Sequence, residues 1–77
     1  MYIYYNDEII NTNLVFDMKI SKGKDLSNIR FYGPAEGRYM EFTFKENTAI
    51  LVLKKIYDGL ESGWEGLDIQ REILDKL

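Results

Sequence analysis

Asp68, Glu72 and Asp75 recur at helical spacing, and together with Asp7-Glu8 and the pair Glu61 and Glu65 they are the carboxylate groupings from which acid–base or divalent-metal chemistry could be built. A cation site needs oxygens that converge in a pocket. The 68, 72, 75 set falls on the solvent side of a short helix and has no EF-hand spacing, so a solvated face is expected there. The run Gly33-Pro34-Ala35-Glu36-Gly37-Arg38 offers two glycines and an arginine near a turn, but no helix N-terminus follows it and it has no P-loop lysine, so it reads as a hairpin loop. Ser21, Ser27 and Ser62 have no histidine to activate them and no lysine at a dyad spacing. The chain contains neither cysteine nor histidine, which excludes disulfides, thiolate nucleophiles, zinc fingers, imidazole ligands and histidine general bases together. A protein without catalysis, metal or cofactor is the expectation.

Two other groupings point to binding. Val15, Asp17, Lys19, Arg30, Tyr32, Tyr39, Glu41, Thr43 and Lys45 share the outward side of the predicted strands. Within that set Lys19, Arg30, Tyr32 and Tyr39 combine cations with aromatics, as single-stranded nucleic-acid platforms do. Asp17 and Glu41 sit in the same field and the chain carries a net charge of −3, which disfavours nucleic acid, and cross-strand Tyr–Tyr or Tyr–Arg packing accounts for the same residues. The second grouping is apolar. Leu51 lies off the main helical stripe, and Trp64 and Leu67 follow the helix stop. Trp64 either plugs the gap between two helices or joins Leu51, Leu67 and the Ile69, Ile73, Leu77 line in a surface suited to another protein, a second copy of the chain being the simplest partner. An open sheet edge is a further route, by strand addition.

The elements that must position these residues follow from periodicity. Seventy-seven residues, 45% hydrophobic and 30% charged, suit one small domain with a modest core. Leu14, Phe16, Met18 and Ile20 alternate with Asp17 and Lys19 as a half-buried strand. Ile29 to Tyr32 and Arg38 to Phe44 read as two more, with Met40, Phe42 and Phe44 inward. Tyr2 to Tyr5 and Ile9-Ile10 flank Asn6-Asp7-Glu8 as a short hairpin, because Asn and Asp tolerate the positive φ of tight turns. From residue 47 or 48 to about 62 the period becomes helical: Ala49, Leu53, Ile56 and Leu60 align, with Ile50, Val52 and Tyr57 widening the stripe. Asn47 or Thr48 is the expected cap and Gly63 the stop, while Gly59 inside the helix costs about 1 kcal/mol relative to alanine. A shorter helix is expected over 68–76, starting at Asp68.

The predicted fold is therefore α+β: an antiparallel meander of three to five strands over residues 1–45, one face covered by the helix over 47–62, with the short helix beside it. The expected core comprises Leu14, Phe16, Met18, Ile20, Ile29, Phe31, Met40, Phe42, Phe44, Ala49, Val52, Leu53, Ile56 and Leu60. No stretch approaches the length of a membrane span, and the first residues lack the basic and apolar regions of a signal peptide, so a cytoplasmic location and no membrane partner are expected.

A meander with a charged turn, then a helix ending in Gly63-Trp64, resembles small β-meander-plus-helix proteins of AT-rich bacteria and their phages, some of which are similar to a reduced pleckstrin-homology-like half barrel over residues 1–62. The resemblance transfers no functional residue. It implies a macromolecule-binding role and, for phage versions, inhibition of a host or defence protein.

Overall fold

In the computed structural model, which describes residues 1–34 and 37–77, the chain is an α+β protein built on two small sheets. The first sheet has the order β2-β1-β6, formed by β1 (Tyr2–Tyr5), β2 (Glu8–Asn11) and β6 (Gly66–Asp68). The second has the order β3-β4-β5, formed by β3 (Asp17–Lys22), β4 (Leu26–Tyr32) and β5 (Tyr39–Lys45). Helix α1 (Thr48–Ser62) follows β5, and the short α2 (Ile69–Glu72) follows β6 and ends in a 3₁₀ turn over Leu74–Lys76. The strands thus number six in two sheets, against three to five in one meander. The additional strand is β6, which pairs parallel to β1 with Ile3 level with Leu67.

The hairpin at the start turns through Asn6 (φ 52°) and Asp7 (φ 63°), the two left-handed residues that a two-residue turn of this hand requires. The β3–β4 hairpin is also tight, closed by the Gly23 N–H donating to the Leu26 carbonyl at 2.8 Å. The loop expected over Gly33 to Gly37 includes Ala35 and Glu36, which lie outside the described residues.

The two sheets share one core. Across the first sheet Ile10, Ile3 and Leu67 form an inward row. Across the second, Ile20, Ile29 and Phe42 form one row and Met18, Phe31 and Met40 the next. Tyr5 joins the sheets, its ring 4.9 Å from Phe44 and 5.2 Å from Phe42. Helix α1 covers the inner face with Ala49, Val52 and Ile56, and Ile69 and Ile73 close the other side.

Four residues expected inside are exposed: Leu14, Phe16, Met40 and Leu60. A β-bulge explains the first pair. Thr12–Leu14 is a 3₁₀ turn, and the Phe16 N–H bonds the Tyr32 carbonyl at 2.8 Å although Asp17 is the register partner of Tyr32, so two residues face one. The extra residue slips the alternation. Val15, expected outward, packs against the core, and Phe16 is left 76% exposed. Met40 keeps its inward position but sits at the end of β5 remote from the β5–α1 connection, in a groove with Leu14, Val15 and Pro34. Leu60 lies in the last turn of α1, at the border of a surface trough.

Helix α1 is held at both ends by contacts outside its own sequence pattern. Asn47 makes no side-chain cap; instead the buried Ser27 hydroxyl on β4 accepts the Ala49 N–H at 3.1 Å. At the other end Gly63 adopts φ 73° and the Trp64 N–H donates to the Gly59 carbonyl at 2.9 Å, closing a Schellman turn. Gly59, read from sequence only as a weak helix residue, is the floor on which Trp64 rests. A Cβ there would lie 2.7 Å from Trp64 Cε3 and 2.8 Å from Met1 Sδ.

Two stability predictions follow from these anchors. Ser27→Ala leaves the Ala49 N–H buried without an acceptor, so a denaturant melt should show a loss of about 1–3 kcal/mol. Gly59→Ala should also destabilise, by about 1–3 kcal/mol, because a rigid indole cannot yield to the added methyl; a gain in stability would show that helix propensity outweighs the overlap.

Candidate functional site

The outward face of the second sheet brings together all four residues of the nucleic-acid reading. Asp17, Tyr32 and Tyr39 form one cross-strand row and Lys19, Arg30 and Glu41 the next. Arg30 Nε donates to Glu41 Oε2 at 2.7 Å, and its guanidinium lies 4.6 Å from the Tyr39 ring centre. Lys19 Nζ is 3.6 Å from Asp17 Oδ2 and 5.5 Å from the Tyr32 ring centre, and the two tyrosine rings are 5.5 Å apart. The Glu41 hydrogen bond, with Tyr32 and Tyr39 alongside, pushes the Arg30 guanidinium further above its ordinary value. Each cation therefore already has a carboxylate and an aromatic face, which lowers the positive potential left for a phosphate. The cross-strand packing expected from sequence is what the geometry shows.

The C-terminal apolar grouping is divided by the fold. Leu67, Ile69 and Ile73 are core residues rather than surface ones, because β6 completes the first sheet and turns this line inward. Trp64 is half-buried over Gly59 and Met1, with Lys55 Nζ 5.4 Å from its ring centre. Only Leu51 and Leu77 stay exposed; they border a shallow depression with Thr48 and Ile50. Asp68, Glu72 and Asp75 cap and brace α2: Asp68 Oδ1 accepts the Arg71 N–H, Glu72 Oε2 accepts the Asp68 N–H, and Asp75 accepts from Gln70. Among the described residues no three acidic groups converge on a cation position.

The surface that sequence reasoning missed lies beside β3. Helix α1 packs over β4 and β5, leaving a trough of about 650 Å³ floored by Met18 and Ile20 and walled by Ile50, Leu53, Tyr57 and Leu60, with Lys54 and Asp58 at its rim. Its other border is a backbone edge. Gly23 bonds Leu26, and Glu46 bonds Asp25, so Asp17, Lys19 and Ser21 direct their N–H and C=O groups to β4. The corresponding groups of Met18 and Ile20 point away from the sheet, where no strand of the described residues pairs with them. The opposite edge, β5, is overlaid by Tyr5, whose hydroxyl reaches the Thr43 carbonyl at 3.5 Å. The signal in the sequence was the width of the α1 stripe: Tyr57 and Leu60 exceed what three strands can cover, and both are exposed.

The outer face of the first sheet carries a third feature, a shallow groove of about 890 Å³ with Tyr2, Tyr4 and Ile9 on one side and Arg71 and Lys76 on the other. The Tyr4 hydroxyl donates to Asp7 Oδ1 at 3.2 Å, and this hydrogen bond, reinforced by the carboxylate charge, holds the phenol above its ordinary ionisation range.

No family model, curated protein or solved structure matches this chain. No helix of the described residues is long and apolar enough to cross a membrane.

The Tyr4–Asp7 bond is directly testable. A phenol with a raised folded-state pKa contributes stability that is present below the unfolded tyrosine value and is lost as pH rises through the folded one. Asp7→Asn, which suits the left-handed turn position, should lower the pH at which the Tyr4 ring signals titrate by NMR; an unchanged Tyr4 titration would show that the bond does not persist in solution.

Proposed function

We propose that this protein is a non-catalytic binding module that docks another polypeptide along the open edge of β3 and the apolar trough beside it. The observation that carries the proposal is the juxtaposition of free backbone N–H and C=O groups at Met18 and Ile20 with the side chains of Leu53, Tyr57 and Leu60. Strand addition uses such a pair: the ladder supplies affinity, and an adjoining groove reads alternate side chains. Action is steric, since an occupied edge masks the segment it binds. A phage or mobile-element inhibitor that occludes a host or defence protein in the cytoplasm is the specific form favoured by the resemblance over residues 1–62.

The outward cation–aromatic face supports the nucleic-acid alternative less well, because Lys19 and Arg30 are already ion-paired to Asp17 and Glu41.

Capture from a nuclease-treated lysate of the source organism tests the proposal. Polypeptides, the protein's own chain included, should be retained by the wild type and lost on the folded Tyr57→Asp/Leu60→Asp double variant, because two carboxylates on the α1 wall are costly to desolvate on docking. Equal retention by the variant, or retention seen only in a parallel lysate without nuclease and lost in moderate salt, would overturn it.

A further inference from the structure

We infer that the occupant of the β3 edge is the β3 edge of a second copy of this chain, paired antiparallel about a two-fold axis at Met18. This rests on the docking site proposed above and specifies its partner.

The inference comes from the charge pattern along one strand. β3 reads Asp17-Met18-Lys19-Ile20-Ser21-Lys22, with Asp17, Lys19 and Ser21 on the outward side and Met18 and Ile20 on the inward side. A two-fold axis perpendicular to the sheet keeps outward residues opposite outward ones, so the axis must fall at a single residue. An axis at Asp17 or at Lys19 sets like charges directly across from each other, which is destabilising. An axis at Ile20 sets the apolar Met18 across from Lys22 and leaves Lys19 opposite Ser21, with no charge pair formed. An axis at Met18 does the reverse. It places Asp17 of each copy opposite Lys19 of the other, two attractive pairs in the close, non-hydrogen-bonded positions of the ladder.

The backbone agrees with that register. Met18 is one of the residues whose N–H and C=O face the open edge, so the two Met18 residues exchange both hydrogen bonds across the axis. The product is a continuous six-stranded sheet, β5-β4-β3 joined to β3-β4-β5, with both α1 helices on the same face and the two apolar troughs adjacent across the axis. In the single chain Lys19 and Asp17 already lie 3.6 Å apart along the strand with both side chains more than half exposed, so the two-fold gathers two such pairs into one alternating cluster.

Charge reversal separates this register from the other β3–β3 axes, and the monomeric Met18→Pro variant separates edge pairing from contact through the outward face. Sedimentation equilibrium should show a reversible wild-type dimer. Asp17→Lys alone and Lys19→Asp alone each replace two attractive pairs by two repulsive ones and should weaken self-association by roughly tenfold or more. The double variant Asp17→Lys/Lys19→Asp restores opposite charges across the axis and should recover dimerisation. Met18→Pro removes the N–H at the axis without touching the β3–β4 ladder and should give a monomer whose circular dichroism matches the wild type. A wild type that stays monomeric at about 0.5 mM, well above micromolar dissociation constants, overturns the inference, as does a double variant that stays as weak as the singles. Either result leaves the edge open to a different polypeptide, which the capture experiment detects independently.

Discussion

The hydrogen bond from the Ala49 N–H to the Ser27 hydroxyl sets the geometry on which the rest of the molecule depends. Ser27 occupies the inward row of the second sheet between Lys22 and Phe44, where an apolar side chain would be the ordinary choice. A helix start buried against a sheet has orphan N–H groups, and each must find an acceptor. By supplying one from β4, the serine ties the first turn of α1 to the middle strand of the sheet. The helix then runs over β4 and β5 and stops short of covering β3. The trough lies along the strand that the helix leaves uncovered.

The same logic explains what could and could not be read from the chain. The bounds of α1 were legible because its stripe, its approach through Asn47 and the stop at Gly63 all agree. The first hairpin was legible through Asn6 and Asp7, and β4 and β5 through alternation. The start of β3 misled because a bulge adds one residue without altering composition, so the perfect alternation of Leu14, Phe16, Met18 and Ile20 overstates the true inward set. β6 was invisible because three residues carry no period, and its partner β1 lies at the other end of the sequence. With β6 unread, Leu67, Ile69 and Ile73 looked like a surface; with it in place they close the core.

For the candidate sites the division is similar. Lys19, Arg30, Tyr32 and Tyr39 share a face by parity alone, and parity is a sequence property. Their neutralisation by Asp17 and Glu41 is equally local, since the register that aligns the rows also aligns opposite charges. The trough has no such signature. It depends on the offset between a helix and a strand that are not adjacent in the chain, and only the width of the α1 stripe hinted that some of it would remain uncovered.

The neighbourhood of β1 and β6 bears on how the molecule assembles. The second sheet is made of hairpins between successive strands, contacts that form quickly because little chain must be closed. The first sheet is different: its central strand waits for a parallel partner that arrives only after the second sheet and α1 have been traversed. Closing that long loop is entropically slow, and the short β6 ladder alone repays little of it. Packing of Leu67, Ile69 and Ile73 against the core shared with β3-β4-β5 and α1 supplies the remainder, so completion of the first sheet is tied to closure of the core.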